Sequence, residues 1–321
     1  MDIAAFKRDF DRALARVLDR KMEELEQLTR DPYILNLAKH GCTLALQGGK
    51  RIRPYIAYIT YRAAGGKGNV MGVLVGLELF HTFALVHDDI MDRGMERHGV
   101  ATANRLFGDA QAILIGDLLF NWASEIIAPT KGQPIFAKMV DEVILGQMLD
   151  VDAIRRARVS DQFIQDKMRL KTASYSFIRP MQFGAALAGK SAMYRFCEAF
   201  GCPLGLAFQI QDDLLDLTAS SKKLGKSAFN DVKEGQKTVF TQYASRKPAN
   251  RTLLNKMKGR KLTQEDRRRI KQMFEESGAI EYGTKLMKKY FREADDAVKG
   301  LSDVKAKPFA ELVAYIKSRA N

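Results

Sequence analysis

Apolar residues recur at helical spacing along most of the chain, and short turns such as QGGK, AAGGKGN, APTKGQP and AGKS interrupt them. This periodicity predicts long helices, whereas strand-like alternation is not sustained over any stretch. At a typical helix length the chain has room for about ten or more helices, so we expect an all-α protein. Residues 263–266, TQED, approximate a capping box and predict the start of a late helix. No linker rich in Ser, Pro or Gly divides the chain, which favours a single domain over residues 1–321.

Composition is typical of a folded protein without disulfides. The hydrophobic fraction of 46% excludes a disordered chain. The three cysteines, Cys42, Cys197 and Cys202, are too few and too scattered for a disulfide framework or a zinc site. We expect Cys197 and Cys202 to be buried apolar residues. The first residues, MDIAAFKRDFDRAL, lack the apolar core of a signal peptide, which predicts a reducing, cytoplasmic setting.

Two segments, 70–86 and 109–129, are apolar enough to be considered as membrane spans. Glu78 and His81 interrupt the first segment, and Asp117 interrupts the second. Charged or ionisable residues are rare in membrane spans, so we expect two buried core helices instead.

The chain is basic, with a formal net charge of +14 at pH 7. Such a charge indicates an anionic partner or simply a basic surface, and it does not distinguish nucleic acid from lipid or phosphate. The basic excess is densest from Lys237 to Lys261, where eight Lys or Arg occur without Asp or Glu. Because this segment contains no known nucleic-acid module, we expect a solvated helical face and no nucleic-acid partner.

Two acidic motifs with the same Asp-Asp-x-x-Asp spacing each follow an apolar helical segment. The first, ALVHDDIMDRG at 84–94, ends a helix predicted over residues 70–92, and the second is FQIQDDLLDLT at 208–218. Carboxylates at the negative end of a helix repel one another unless a cation lies between them. On two facing helices they would form a cage of hard oxygen ligands suited to Mg²⁺ and a substrate phosphate. The carboxylates are Asp88, Asp89, Asp92, Asp212, Asp213 and Asp216.

Basic residues that could hold phosphate accompany the acidic motifs. GGKRIRP at 48–54 places Lys50, Arg51 and Arg53 after two glycines at a helix junction, where backbone N–H groups favour anions. An ordinary helix start explains this motif equally well. Each further candidate could by itself be a surface cation, and only its occurrence with the paired acids singles it out. These candidates are Arg97 and the lysines of LKTAS and GKSAFNDVKEGQKT, namely Lys171, Lys226 and Lys237.

Six motifs follow one another between about residue 40 and residue 240: GGKRIRP, HDDIMDRGMERHG, GQMLD, KTAS, GLAFQIQDDLLD and GKSAFNDVKEGQKT. This succession closely resembles the trans-isoprenyl diphosphate synthases, also called polyprenyl synthetases, and is closest to the geranylgeranyl and farnesyl diphosphate synthases. The resemblance implies an isoprenoid synthase helical bundle with a central metal-lined cavity. It also implies head-to-tail condensation of isopentenyl diphosphate with dimethylallyl, geranyl or farnesyl diphosphate, with release of pyrophosphate.

The resemblance also implies roles for individual residues. The ligands of a trinuclear Mg²⁺ cluster, with Mn²⁺ as the alternative ion, would be Asp88, Asp92, Asp212 and, directly or through water, Asp216. Acids that support these ligands would be Asp89, Asp213 and Asp150 of GQMLD, the last of them near Asp92 and Lys171. Catalytic polar groups would be Lys171, Thr172 and Gln209. Cations for the allylic diphosphate would be Arg97, Lys171, Lys226 and Lys237. The site for isopentenyl diphosphate would contain Lys50, Arg53, His81 and His98.

One position departs from the family pattern. Where the family usually has two adjacent arginines before glycine, this chain has ERHG, so His98 replaces the second arginine. Arginine is always charged and grips phosphate in a fork, whereas histidine is only partly protonated near neutral pH. We therefore expect weaker and more pH-dependent binding of isopentenyl diphosphate.

The residues that precede the first acidic motif predict the product length. Phe83 lies five positions and Ala84 four positions before Asp88, with no insertion in DDIMD. In this family the combination resembles geranylgeranyl (C20) synthases of the archaeal kind, with Phe83 as the floor of an apolar tunnel that Phe80 also narrows. Core packing alone is the other interpretation of Phe83. The alternatives are a farnesyl (C15) and a longer (C25+) synthase.

Two other classes of protein use the same scaffold. A class I terpene cyclase usually has an Asn/Ser/Glu motif in place of the second acidic motif, so the intact DDLLD argues against it. A non-catalytic subunit of a heteromeric synthase typically loses aspartates, and all six are present here. His98 is the feature that favours the subunit hypothesis.

The resemblance implies a homodimer. The amphipathic residues 1–30 could contribute to its interface, but that face could equally be intramolecular. Because the product is apolar, we expect at most transient contact between the basic surface and a membrane.

Overall fold

Helices make up most of the chain in this computed structural model, which describes residues 2–218 and 229–318. The all-α prediction is confirmed, since the sheet among these residues is a single two-stranded hairpin. The elements in chain order are α1 (Ile3–Leu28), α2 (Pro32–Leu46), α3 (Ile52–Ala63), α4 (Met71–Met91), β1 (Glu96–Arg97), β2 (Val100–Ala101), α5 (Ala103–Phe107), α6 (Asp109–Ile127), α7 (Gln133–Arg155), α8 (Asp161–Met168), a π-helical segment (Arg169–Ile178), α9 (Arg179–Leu187), a 3-10 turn (Ser191–Met193), α10 (Tyr194–Thr218), α11 (Asn230–Glu234), α12 (Val239–Ala244), α13 (Pro248–Met257), α14 (Gln264–Glu276), α15 (Ala279–Val298) and α16 (Asp303–Lys317).

The chain forms two compact units. Unit 1 comprises Met1–Phe136 and Pro180–Met193, and unit 2 comprises Ala137–Arg179 and Tyr194–Asn321. The first acidic motif belongs to unit 1 and the second to unit 2. A single domain over residues 1–321 stays a prediction.

In unit 1, α4 packs against α6. Two glycines allow the close approach, because a Cβ atom on Gly76 would lie 2.7 Å from Cγ1 of Ile127, and one on Gly116 would lie 2.5 Å from Nε2 of His87. By length and composition alone α4 could cross a membrane, but 50% of its most apolar window is buried. A buried core helix passes the same test, and the packing of α4 on α6 agrees with the two core helices predicted from the sequence.

In unit 2, α10 packs against α15 and against the π-helical segment that carries KTAS. A Cβ atom on Gly205 would lie 2.4 Å from Cα of Ala173, and one on Gly146 of α7 would lie 2.5 Å from the backbone nitrogen of Lys171. Only glycine tolerates distances this short, so Gly205 and Gly146 allow α10 and α7 to pack closely against the π-helical segment. π-helical turns are rare and frequently occur at functional sites.

Several local predictions are confirmed. Thr263 and Asp266 form the capping box at the start of α14, with the Asp266 nitrogen donating to Thr263 Oγ1 at 3.1 Å and the Thr263 nitrogen donating to Asp266 Oδ2 at 3.0 Å. The cysteines are free, and burial raises the pKa of the Cys42 and Cys197 thiols to about 12. Cys197 is buried as expected, whereas Cys202 is half-buried.

Candidate active site

The first acidic motif closes α4. Asp88 and Asp89 lie in its last turn, and Asp92 follows the helix as its C-cap. The Asp92 nitrogen donates to Asp88 O at 2.9 Å, and the Gly94 nitrogen donates to Asp89 O at 2.8 Å. The helix therefore ends within one residue of the predicted position, with Asp88 half-buried and Asp92 exposed.

Asp89 is buried and is held by Arg97. Nε and Nη2 of Arg97 donate to Oδ2 and Oδ1 of Asp89 at 2.8 and 2.7 Å. Burial lowers the pKa of Arg97, but the hydrogen bonds to Asp89 and the charges of Asp88 and Asp92 raise it more. A Cβ atom on Gly94 would lie 2.5 Å from Asp89 Oδ1, so glycine is needed there. The carboxylate of Asp89 thus orients Arg97 beside Asp88 and Asp92.

The position that departs from the family pattern lies at the tip of the β1–β2 hairpin. His98 and Gly99 both have positive φ, 52° and 80°, as the two central residues of a type I′ turn require. The exposed His98 ring lies against the GGK loop, because a Cβ atom on Gly48 would be 2.6 Å from its Cγ. The hairpin tip and the basic loop are therefore neighbours.

Arg51 of the basic loop has a structural role that the sequence analysis did not assign. Its side chain is 3% exposed and donates to Glu78 Oε1 at 2.6 Å, to Asp11 Oδ1 at 2.8 Å and to Leu46 O at 3.0 Å. Grouping Arg51 with Lys50 and Arg53 as phosphate ligands was wrong, because buried Glu78 and half-buried Asp11 occupy its guanidinium. Glu78, which served in the sequence only as an argument against a membrane span, anchors this loop.

Three basic side chains, Arg53, Arg97 and His98, lie close enough to His81 for their charges to act on it. Burial lowers the pKa of His81 well below its usual value, and the charges of Arg53 and Arg97 act in the same direction, followed by those of Arg51 and His98. His81 is therefore neutral near pH 7 and can serve as a hydrogen-bonding group without adding charge. Arg53 is half-buried and Lys50 exposed, so this part of unit 1 has cations for an anionic substrate.

The predicted chain-length residues belong to an aromatic cluster in unit 1. Phe83 is half-buried, and its ring lies 5.5 Å from Phe80, 5.1 Å from Phe120 and 4.6 Å from His87, measured between centroids. Phe80 is fully buried and packs against Phe136 at 5.1 Å. Ala84 is half-buried beside Phe83 on α4. Phe80 thus supports the ring of Phe83 from the interior side.

The second acidic motif ends α10 in unit 2. Oδ1 and Oδ2 of Asp216 accept the backbone N–H groups of Asn230 and Asp231, each at 3.1 Å, so Asp216 ties α10 to the start of α11. Burial raises the pKa of Asp213 to about 7, and the charge of Asp212 adds to this effect against the Gln209 hydrogen bond. A divalent cation would relieve the repulsion among these acids.

Asp231 is a further acid of this cluster. Burial raises its pKa well above the usual value, and the charges of Asp213 and Asp216 add to this effect. The sequence analysis quoted Asp231 within GKSAFNDVKEGQKT but gave it no role. In the sequence, its position between two lysines of that motif was the only feature that indicated a role for Asp231.

A buried ion-pair group supports the KTAS motif. Oδ1 of Asp150 lies 2.8 Å from Lys167 Nζ, and Oδ2 lies 2.5 Å from Lys171 Nζ. Burial raises the pKa of Asp150, but the two lysines lower it more, so the net shift is downward. The expected link between Asp150 and Lys171 is thus present. Lys167, four residues before Lys171, was not predicted, although that spacing places both on one helical face.

A line of hydrogen bonds runs from the π-helical segment to the second acidic motif. Thr172 Oγ1 donates to Gln209 Oε1, and Gln209 Nε2 donates to Asp213 Oδ1 at 2.7 Å. Thr172 and Gln209, two of the predicted catalytic polar groups, are therefore in contact. Lys226, a predicted diphosphate ligand, lies outside the described residues.

The donor set fits Mg²⁺. Both acidic motifs offer carboxylate oxygens, the ligands this ion prefers. Across residues 2–218 and 229–318, no three His, Cys, Asp or Glu side chains converge closely enough to hold a metal ion by themselves. Mg²⁺ usually keeps several waters and binds through one or two carboxylates plus substrate phosphates, so these acids suit an ion that binds together with a diphosphate.

Comparison with known proteins places these features in a family context. The family model for polyprenyl synthetase matches residues 35–277. The chain is 30% identical over 313 residues to the geranylgeranyl diphosphate synthase of Methanosarcina mazei, with 94% of each chain covered. It is 31% identical over 274 residues to the geranylfarnesyl diphosphate synthase of Aeropyrum pernix, with 81% of this chain and 86% of that one covered. A crystal structure of geranylgeranyl pyrophosphate synthase from Corynebacterium glutamicum, complexed with isoprenyl diphosphate and magnesium, matches 99% of this chain and 100% of that one, with a TM-score of 0.91 and 26% identity.

Proposed function

Because the chain belongs to the polyprenyl synthetase family, we propose that it is a Mg²⁺-dependent prenyltransferase that makes geranylgeranyl diphosphate. It would condense isopentenyl diphosphate head to tail with an allylic diphosphate and release pyrophosphate. The observation that carries this proposal is the pairing of acids with cations in each unit. Asp88 and Asp92 lie beside Arg97 in unit 1, and Asp212 and Asp213 accompany the Asp150–lysine group in unit 2.

The hard step of this reaction is the departure of a multiply charged diphosphate to leave an allylic carbocation. Asp88 and Asp92, with Asp212 and Asp216, would hold Mg²⁺, which would supply electrostatic stabilisation of the leaving oxygens. Arg97 and Lys171, each oriented by a buried carboxylate, would hold the allylic diphosphate.

The chain's other polar groups would position the reactants. Lys50 and Arg53 would bind the diphosphate of isopentenyl diphosphate, and neutral His81 would hydrogen-bond to it. Thr172 and Gln209, fixed by their mutual hydrogen bond, would direct oxygen dipoles at the carbocation. No side-chain nucleophile is required.

The direct test of the proposed function is incorporation of labelled isopentenyl diphosphate into an allylic product by the purified protein, with Mg²⁺ and with EDTA. Condensation that needs the metal supports the proposal. A hydrocarbon product would indicate a terpene cyclase, and a lack of product with every primer would indicate a non-catalytic subunit.

Product length is proposed from Phe83. Phe83→Ala should remove the floor of the growing chain's tunnel, and we expect its main product to lengthen by at least one isoprene unit. Products are measured by chromatography after dephosphorylation. Phe196→Ala is the control, because Phe196 is also half-buried and packs against Phe200 and Phe309 in unit 2. If the product chain length of Phe83→Ala is unchanged, Phe83 is only a core residue and does not form the floor of the tunnel.

His98 should make isopentenyl diphosphate binding depend on pH. As the pH rises from about 6 to 8, histidine as a residue type loses its charge, so the KM of the wild type should rise. His98→Arg should lower KM at pH 8 by about tenfold, equivalent to about 1.4 kcal/mol, and should flatten the pH profile.

His81→Gln is the control for this pH profile. The pKa of His81 is lowered well below its usual value, so His81→Gln removes no charge near pH 7 and should keep the wild-type slope from there to pH 8 even if its KM is higher. Equal KM values for wild type and His98→Arg at both pH values would refute the role of His98.

The chain's partners are also proposed. Apolar side chains that are 42–61% exposed suit a homodimer interface: Leu106, Ile113 and Leu114 in unit 1, and Ile144, Leu145 and Met148 in unit 2. α1 buries Phe6, Phe10 and Leu14 within its own chain, which favours the intramolecular interpretation of residues 1–30. A cytoplasmic location, transient membrane contact and no nucleic-acid partner stay predictions.

A further inference from the structure

A basic cavity of about 300 Å³ lies in unit 2 between the end of α7 and the helices α11 to α13. Cations line it without any carboxylate: Arg155, Arg156, Arg158, Lys237, Arg251 and Lys258. The last three belong to the basic segment Lys237–Lys261, for which the sequence predicted a solvated helical face, with Lys237 also predicted as a cation for the allylic diphosphate. Part of that segment instead forms the wall of a concave site.

The charges of this cavity are poorly compensated within the chain. Arg156 pairs with Asp152, with 2.5 Å between Nε and Oδ2. None of the other five cations forms an ion pair with a residue in the described part of the chain. Burial lowers the pKa of Lys237, and the charges of Lys258 and Lys167 add to this effect. Like charges gathered in a concave space attract and concentrate anions.

Hydrogen bonds fix the cavity walls. Lys258 Nζ donates to Ile154 O at 2.7 Å, and Gln242 Nε2 donates to Val159 O at 2.7 Å, so α12 and α13 are joined to the end of α7. Gly235 has a φ of +79°, and a Cβ atom there would lie 2.7 Å from Cδ of Lys258. Glycine therefore lets the lysine stem cross to α7. These bonds hold Lys258 in place before an anion binds, which lowers the entropic cost of binding.

The cavity adjoins the lysines of the candidate active site. Lys237 is close enough to Lys167 for their charges to interact, and Lys167 pairs with Asp150. The volume lies at the small end of the range for ligand sites, which suits a compact anion better than a polymer. Arginine forks bind phosphate oxygens in pairs, and three arginines from one turn and loop, Arg155, Arg156 and Arg158, provide such forks.

We propose that this cavity is a diphosphate-binding site, separate from the Asp-rich motifs, that holds a reactant or the released pyrophosphate at the margin of the active site. The choice of a diphosphate rests on the proposed function. The anion-binding character of the cavity rests on its cations alone.

Titration calorimetry with inorganic pyrophosphate in EDTA and about 0.15 M salt tests this site, because EDTA withholds the metal from the Asp-rich motifs. The wild type should bind pyrophosphate in this cavity besides any binding at Lys50 and Arg53, and Arg155→Gln/Arg158→Gln should weaken the binding in the cavity alone by at least about tenfold. The matched double variant Lys247→Gln/Lys256→Gln removes the same charge from exposed residues outside the lining, and its affinity should change less than about twofold. Absence of binding by the wild type, or equal affinities of the two double variants, would overturn the proposal.

Two further measurements distinguish a reactant from the product as the bound anion, and test the anion site separately from the proposed function. The source of the anion is identified from the part of the binding that Arg155→Gln/Arg158→Gln weakens, measured with isopentenyl diphosphate and with pyrophosphate. Tighter cavity binding of isopentenyl diphosphate indicates a reactant, weaker binding indicates the product, and either supports a diphosphate site. Condensation with Mg²⁺ is measured on the same proteins, with melting curves to confirm folding. Pyrophosphate binding that depends on Arg155 and Arg158 in a protein without condensation activity would refute the proposed function and retain the anion site.

Discussion

Asp88→Asn is expected to lower kcat for condensation by about 10²- to 10³-fold, the range seen when one preorganised electrostatic group is lost. Asp88 is half-buried at the end of α4, whereas Asp89 is buried and is occupied by Arg97. Removing the Asp88 charge should therefore affect metal binding more than folding. The Mg²⁺ concentration for half-maximal rate should rise in parallel, and this rise is the readout that a purely structural role would not produce.

Asp19→Asn is the matched control for this prediction. Asp19 is an exposed carboxylate on α1 in the same unit, so the substitution removes the same charge away from the motif. It should leave kcat and the Mg²⁺ dependence within about twofold, as expected for a screened surface charge. Loss of activity in Asp88→Asn with an unchanged Mg²⁺ requirement would contradict the assignment of Asp88 as a metal ligand.

Among the substitutions proposed here, Asp150→Ala is expected to lower the free energy of unfolding most, by about 3 kcal/mol. It leaves Lys167 and Lys171 without the carboxylate they share. This figure is at the low end for a broken buried pair, since the Lys171 side chain is 32% exposed. For a chain of this size the melting temperature should fall by about 4–6 °C. Asp152→Ala, two residues along α7, should cost less than about 1 kcal/mol, because its pair with Arg156 is exposed.

The stability that Asp150 contributes through Lys167 and Lys171 depends on pH. The pKa of Asp150 is lowered in the folded protein, so its contribution is present in full well above 3.8, the ordinary value, and is lost as the pH falls through the lowered pKa. The difference in melting temperature between wild type and Asp150→Ala should therefore be largest near neutral pH and shrink in acid. A constant difference down to acid pH would indicate lost packing instead of lost charge.

The acidic motifs could be predicted from the sequence because they depend on local spacing. A helix with an Asp-Asp-x-x-Asp ending presents two carboxylates on one face whatever surrounds it. The link between Asp150 and Lys171 could be anticipated only through the family resemblance, since 21 residues separate them.

Other residues of the candidate site depend on tertiary burial, which no local pattern reveals. Arg51 could not be distinguished from Lys50 by composition, because its role is set by Glu78, 27 residues further along the chain. Asp231 becomes part of the second cluster only because Asp216 accepts its backbone N–H. The cavity beside the basic segment Lys237–Lys261 could not be anticipated from that segment alone, because the wall from the end of α7 completes it.

The measurement that tests the central claim most directly is the chain length of the product that the purified protein makes from isopentenyl diphosphate with C5, C10 and C15 allylic primers and Mg²⁺. We predict a discrete C20 product with each primer that is accepted. A C15 product, or a series that extends to C25 and beyond, would contradict the assignment of Phe83 as the floor while retaining the synthase. No condensation with any primer would contradict the enzymatic function itself.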